Sequence, residues 1–183
     1  MIMNTTKLNT KLIAVPALMG AMFVALSGQK AQAADTATTL AVSNYTSVTS
    51  TTSLTMTPSL AEITAVGSSV EALSGIGLTV VTNNSTGCKV TVSAGAAGAN
   101  KIAPGDIFLK VATAGGGAAA GTFAAYTALG TTATDLWNTT GAALNGTAVG
   151  LDVKIGNLTS YPAAAGATTN YTNTITFTAV ANS

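Results

Sequence analysis

Histidine and arginine are both absent from this chain of 183 residues, and only 7% of its residues are charged. Histidine is the commonest general base near neutral pH and the commonest metal ligand in proteins. Arginine supplies the planar pair of donors that recognises phosphate groups, and nucleic-acid binding needs clustered cations. These absences argue against an enzyme and against a nucleic-acid-binding protein. They also indicate a protein with no cofactor and no metal site.

The carboxylates are few and scattered along the sequence. A glycosidase needs two carboxylates that face each other, and the sequence leaves this arrangement open only for Asp106 with Asp135. Asp152 alternates with apolar residues beside Lys154, so we expect it on the solvent-facing side of a strand. Acids in such positions are usually solvated. We therefore expect no catalytic residues.

The N-terminus has the pattern of an export signal. Lysines precede an apolar run over residues 12–26, and the small-residue sequence Ala31-Gln32-Ala33 follows it. This order predicts a cleaved signal peptide over residues 1–33 and a mature single domain over residues 34–183. A membrane span needs about 20 apolar residues, so we expect none after cleavage. The expected location is secreted, either extracellular or at the cell surface.

The mature region has an almost neutral composition, with four lysines against six acids and a net charge of −2. Its surface must therefore consist largely of threonine, serine, asparagine, glycine and alanine. A net charge near zero removes the repulsion that keeps proteins apart. The composition is compatible with self-association and equally with a neutral extracellular monomer.

The lone cysteine and the lone tryptophan are both interpreted as core residues. Cys88 is the only cysteine, so an intrachain disulfide is excluded, and it shares the parity of Val90 and Val92. This position favours a small buried side chain over an interchain disulfide. Trp137 is expected to cover the core while its N–H reaches a polar partner. The alternative for Trp137 is an exposed ring that stacks on a sugar.

Alternation with a period of two dominates the mature chain and predicts half-buried strands. Over residues 171–180 threonines occupy one face and mainly apolar residues the other, and residues 149–155 alternate as clearly. The Asn145-Gly146 pair before the latter predicts a turn. Residues 78–83 and 88–93 are expected to pair across Asn84-Ser85-Thr86-Gly87. Further strands are expected at 40–48, 54–56, 107–111 and 122–127.

Two segments depart from this alternation. Residues 59–66 are compatible with a short helix or a loop, and the tract ATAGGGAAAG over residues 112–121 predicts a flexible loop. Together, about eight short strands separated by turns predict an all-β, antiparallel β-sandwich.

Two stretches resemble secreted bacterial surface proteins. Residues 78–84 followed by 87–93 resemble a recurring hairpin of fimbrial sandwiches, and residues 163–166 followed by 171–178 resemble the closing strand of fimbrial and spore-coat-U-like subunits. The resemblance implies an immunoglobulin-like sandwich that serves as a surface subunit. Many fimbrial subunits carry a disulfide, and this chain departs from them in having a single cysteine.

The sequence therefore favours a structural subunit of an extracellular fibre, pilus or surface matrix, which self-associates through β-strand contacts. Its expected partners are copies of itself or other surface components. Residues 34–48 are a candidate donor strand, because Leu40, Val42 and Val48 share one parity and suit alternate pockets. The same segment is equally suited to be the first strand of its own domain.

Two other functions remain open. A monomeric secreted binding module, for carbohydrate or as a surface adhesin, would need exposed aromatic rings. The candidates for that role are Tyr45, Tyr126, Trp137, Tyr161 and Tyr171. A coat or surface-layer component would share the neutral surface but assemble sideways.

Overall fold

The computed structural model describes residues 40, 42–50, 53–163 and 169–183, so the expected signal peptide over residues 1–33 lies outside the described residues. Nine strands and one α-helix form in the described part of the chain, which confirms the expectation of an all-β fold. In chain order they are β1 (Thr46–Ser50), α1 (Leu60–Thr64), β2 (Ser69–Thr82), β3 (Cys88–Ala94), β4 (Ile107–Thr113), β5 (Ala118–Ala119), β6 (Thr127–Ala128), β7 (Thr134–Thr139), β8 (Ala143–Gly156) and β9 (Ile175–Ala181).

The strands form two antiparallel sheets around one core. The five-stranded sheet has the order β1-β2-β8-β4-β6, and the four-stranded sheet has the order β5-β7-β3-β9. Leu109 and Leu151 of the first sheet belong to the same buried cluster as Val90 and Trp137 of the second. Two sheets that share an apolar interior fit a β-sandwich.

The predicted faces of the clearest strands are confirmed. On β3, Cys88, Val90 and Val92 are buried, and on β8 the buried set includes Leu151 and Val153. In both strands the buried apolar residues are two apart, because successive side chains of a strand point to opposite faces. Period-two patterning therefore located the core sides of these strands correctly.

The C-terminal strand keeps its predicted alternation but starts later than expected. Phe177 faces inward and Thr176 is exposed, yet β9 begins at Ile175 instead of Tyr171. The reason is the side chain of Asn173, whose Nδ2 donates to the carbonyl oxygens of Ile102 (2.6 Å) and Gly95 (3.0 Å). These bonds tie the segment before β9 to a loop instead of to a neighbouring strand.

The expected pairing of residues 78–83 with 88–93 is wrong. β2 pairs with β1 and β8, whereas β3 pairs with β7 and β9. The turn itself is present, with the Gly87 N–H donating to the Asn84 carbonyl at 2.9 Å. It carries the chain from one sheet to the other, so it is not the loop of a hairpin. A local turn signal specifies a reversal of the chain but not the sheet that the next strand joins.

Other predicted boundaries also change. Asn145-Gly146 lies inside β8 instead of forming a turn, and the register against β2 shifts beside it, between Val80 and Thr82. Gly146 has a φ of 79°, a conformation that glycine adopts at bulges without strain. Residues 54–56 form no strand. Most of 122–127 is likewise not strand, since a 3-10 helix covers Gly121–Ala124.

The segment left open between helix and loop contains α1. Ser59 caps it, because the Glu62 N–H donates to the Ser59 hydroxyl while the Glu62 carboxylate accepts from the Ser59 N–H. This reciprocal pair is a capping box, which satisfies two backbone donors that a helix start leaves without partners. The carboxylate accepts these bonds best when ionised, so the pKa of Glu62 lies below its ordinary value.

The glycine- and alanine-rich tract at residues 112–121 is packed instead of forming a free loop. It contains the end of β4 and all of β5. Gly117 lies so close to Trp137 that a Cβ there would be 2.2 Å from the indole ring. The indole N–H donates to the Ala114 carbonyl at 2.8 Å, and Trp137 is 0% exposed, as its interpretation as a core residue predicted. Cys88 is also 0% exposed, which confirms its burial.

Candidate functional site

The edge strands of the two sheets, β1 and β6 in one and β5 and β9 in the other, differ greatly in length. β5 and β6 contain two residues each, whereas β1 has five and β9 has seven. Cα atoms of β1 and β9 approach within 8 Å of each other, although the two strands are not paired. The two long edges therefore lie together, and we call the β1 and β9 edges the open side.

The backbone of β9 presents free groups at the open side. The Gly95 N–H donates to the Thr174 carbonyl, and the Asn182 N–H donates to the Gly87 carbonyl, so these even-numbered residues face β3. Backbone groups alternate in direction along a strand. Those of Phe177 and Ala179 therefore face away from β3, where no strand of the described chain pairs with them.

The same argument applies to β1. The Asn83 N–H donates to the Tyr45 carbonyl, so the backbone groups of Tyr45 and every second residue after it face β2. The backbone groups of Thr46, Val48 and Ser50 then face the open side. A row of unpaired N–H and C=O groups is a template for pairing with another strand.

The core is less well covered along β1 and β9 than along the neighbouring strands β2 and β3. On β3 the inward residues are buried, whereas on the adjacent β9 the inward residues Ile175 and Phe177 are only half-buried. Val80 of β2 is 0% exposed, while Val48, its partner on β1, is half-buried. All three half-buried side chains pack against the buried cluster. Apolar side chains thus accompany the free backbone groups along the open side.

The three residues proposed for an assembly strand are not placed alike. Val48 lies in β1 and pairs with the chain's own β2, as the interpretation of this segment as a first strand expects. Leu40 and Val42 precede β1 and are 84% and 71% exposed. Val48 is therefore part of the protein's own sheet, whereas Leu40 and Val42 lie outside its strands.

A polar cluster occupies the outer face of the five-stranded sheet, formed by Glu71, Lys110, Tyr126, Asp152 and Lys154. Asp152 is only 4% exposed, so its expected solvent-facing position is wrong. It has the outward parity, but Lys110 covers it at 2.8 Å and the Ser74 N–H donates to it at 2.8 Å. Ser74 belongs to an irregular part of β2, which the sequence pattern did not reveal.

The ionisation of this cluster follows from its contacts. The hydrogen bond from Lys110, followed by the bond from the Ser74 N–H, holds the pKa of Asp152 below its ordinary value. The hydrogen bond to Asp152 in turn raises the pKa of Lys110. Burial and then the charge of Glu71 raise the pKa of Tyr126. The shifts of Asp152 and Lys110 both follow from their ion pair, which holds each group in its charged form.

The two acids left open as a carboxylate pair have separate partners. Asp106 accepts the hydroxyl of Tyr161, whose pKa is raised by burial and then by this bond. Asp135 lies on β7 and forms an exposed ion pair with Lys89 at 3.1 Å. No group of three acids, cysteines or histidines that could hold a metal ion occurs among the residues with described positions.

The aromatic residues proposed for ligand stacking also differ in position. Trp137 is buried and Tyr45 is exposed, while Tyr161 and Tyr171 stack edge to face at 5.1 Å between centroids. Phe108 was not among the candidates, although it shares the outward parity of Lys110. The alternation of Phe108 with Ile107 and Leu109 was the sequence signal that could have identified its ring as facing outward from β4.

No protein-family model matches this chain, and it matches no curated protein and no solved structure. Within the described ranges, no helix is long and apolar enough to cross a membrane.

Proposed function

We propose that the protein is an exported structural subunit of an extracellular fibre, pilus or surface matrix. In this proposal, copies join when an extended segment of one copy adds to the open side of the next. The fold would then be an immunoglobulin-like sandwich whose open side is completed by a partner strand. The observation that carries the proposal is that the β1 and β9 edges lie together above half-buried core residues, and that no strand of the described residues pairs with either edge.

Natural sheet proteins usually protect their edges with lysines, prolines, bulges or covering loops. β9 contains neither lysine nor proline, and its sequence ITFTAVA has the β-branched and aromatic residues that favour strands. The opposite ends of the two sheets are formed by the two-residue strands β5 and β6, and very short edge strands pair poorly. The contrast between the two sides supports a specific role for the open side.

The proposed donor is the segment over residues 34–42 of a second copy. Leu40 and Val42 share one parity, so an extended strand would direct both toward the same face. Their exposure leaves them available, and the half-buried Phe177 and Val48 offer apolar surface on the acceptor. Backbone bonds would supply affinity and the alternate side chains would supply register.

Electron microscopy of the purified mature protein, residues 34–183, tests the proposal. Deleting residues 34–42 removes the donor but keeps Ser43, whose carbonyl accepts from the Asn83 amide at 2.8 Å. We expect regular filaments from the intact mature protein and a folded monomer from the deletion variant. Flat lateral arrays instead of filaments would contradict strand addition and support a coat component. A monodisperse monomer at high concentration would overturn self-association.

A matched pair of substitutions tests the acceptor edge. Ala179→Pro removes an N–H that faces the open side and spares the ladder with β3, and proline is tolerated at such edge positions. Ala179→Ser keeps that N–H and serves as the control. We expect filaments from the serine variant only, with circular dichroism and thermal unfolding showing that both variants fold. Filaments from the proline variant would contradict the assignment of the β9 edge.

Export is tested separately. If the signal peptide is cleaved after Ala33, the protein recovered outside the cell begins at Ala34. N-terminal sequencing and intact mass of the recovered protein measure this directly. Retention of residues 1–33 would contradict the proposed processing.

A further inference from the structure

A depression of about 400 Å³ lies on the five-stranded sheet, where the start of β2 and of β4 meets the end of β8. Residues of these strands and of the adjoining turns line it, among them Phe108, Lys154, Asp106, Asn157, Ser69 and Thr159. The residues of β9 do not line it. The residues that line it carry an aromatic ring, an ammonium group, a carboxylate, an amide and hydroxyls.

Lys154 has no carboxylate within ion-pair distance in the described part of the chain, although Glu71 is its register partner on β2 and belongs to the same polar cluster. The Lys154 Nζ lies 4.7 Å from the ring centroid of Tyr126 and 5.0 Å from that of Phe108. Among the residues that the structure describes, the two ion pairs within 4.0 Å are Lys89 with Asp135 and Lys110 with Asp152. Ring faces attract an ammonium group but accept few of its three N–H donors. Lys154 therefore keeps donors for an external anion.

Phe108 supplies an apolar surface in the same depression. Its ring packs on Gly156, where a Cβ would lie 3.1 Å from the ring. Glycine thus permits this close approach of the ring to the backbone of β8. Asn157 follows with a φ of 53°, a left-handed conformation that asparagine adopts more readily than most residues. Asn157 and Thr159 both line the depression.

We propose that this depression binds a sugar residue that carries a carboxylate, such as a uronic acid unit of an acidic polysaccharide. Lys154 pairs with the carboxylate through a charge-assisted hydrogen bond. Phe108 covers the apolar face of the sugar ring, and Asn157 and Asp106 bond to its hydroxyls. Asp106 retains accepting capacity because the Tyr161 hydroxyl occupies only one of its oxygens, Oδ2.

The charges select this ligand class over related ones. A phosphate carries more charge, and a depression lined by one lysine together with the Asp106 carboxylate is a poor site for it. A neutral sugar would leave Lys154 without an anion. A simple carboxylate such as acetate would use Lys154 but would leave Phe108 and Asn157 without a partner. The site therefore favours a ligand that combines one carboxylate with a ring and hydroxyls.

Isothermal titration calorimetry with a trimer of galacturonic acid tests the proposal, and the methyl-esterified trimer is the uncharged control. The protein used is the mature chain, residues 34–183, and the chain lacking residues 34–42 is titrated beside it, so that ligand binding is distinguished from strand addition. We expect binding of the acid trimer and at least tenfold weaker binding of the ester, since a hydrogen bond to a charged group is stronger than one to a neutral group. Equal binding of both trimers, or equal competition by acetate, would overturn the proposal.

Three variants locate the site. Lys154→Gln is expected to weaken binding of the acid trimer at least tenfold, and Lys154→Arg is expected to retain it. Lys89→Gln removes a lysine that pairs with Asp135 outside the depression, and it should leave binding unchanged. Circular dichroism verifies that each variant is folded. Equal weakening by the Lys89 and Lys154 variants would mean non-specific charge attraction, and the proposed site would be wrong.

Discussion

The turn that joins the two sheets allows a sharp test of the structure. Gly87 has a φ of 82°, and a Cβ there would lie 2.0 Å from the carbonyl oxygen of Thr139. The surrounding atoms are backbone and cannot rotate away. Gly67 has a similar φ of 70°, but a Cβ there would meet no atom within 4 Å. The two glycines thus differ in steric surroundings and not in backbone conformation.

Substituting each glycine by alanine separates the cost of the left-handed backbone conformation from the cost of the steric overlap. A left-handed conformation costs an L-residue about 1–2 kcal/mol, and loss of glycine's freedom in the unfolded chain offsets about 0.4–1 kcal/mol of it. Gly67→Ala should therefore lower the free energy of unfolding by about 0.5–1 kcal/mol. Gly87→Ala should lower it by about 3 kcal/mol, because overpacking adds about 1–3 kcal/mol.

Urea unfolding followed by the fluorescence of Trp137, the single tryptophan, measures both values. For a domain of this size 1 kcal/mol corresponds to about 2–4 °C in Tm, so Gly87→Ala should melt about 6–12 °C lower. Equal losses for the two variants would refute the close contact between the turn and the end of β7. The connection between the two sheets would then have to differ from the one described.

Three further outcomes are expected. Asp152 has a folded pKa below its ordinary value of 3.8, so the stability that it gains from Lys110 is present above that pH and is lost as the pH falls below it. Asp152→Asn should remove this acid-dependent loss in urea titrations, whereas Asp135→Asn, in an exposed pair, should not. Burial raises the pKa of Cys88, so its thiol should resist alkylation until the protein unfolds, and rapid native labelling would contradict its burial. Gly117→Ala should destabilise the fold and shift the tryptophan emission, because the new methyl group would overlap the indole ring; unchanged stability would contradict that packing.

The candidate site was only partly accessible from the sequence. The apolar parity of Leu40 and Val42 was visible, as was the outward parity of Phe108. The depression around Lys154 was not visible, because its lining comes from three segments that are distant in the sequence. The open side was also not visible, since an edge strand and a central strand have the same alternation.

The sequence by itself determined the class of the fold and the inward faces of its main strands. Alternation at β3, β4 and β8 reflects the geometry of a single strand, in which successive side chains point to opposite sides. The burial of Cys88 followed from the same local rule, whereas that of Trp137 was expected from its large apolar ring and single polar N–H.

Only the tertiary structure decided which strands are neighbours. β2 and β3 are consecutive and joined by a short turn, yet they belong to different sheets, because pairing depends on which distant strand completes each ladder. The burial of Asp152 has the same origin, since Lys110 and Ser74 reach it from β4 and β2. The position of β1 and β9 at the sheet edges, on which the proposed assembly depends, is likewise a property of the whole fold and not of any segment.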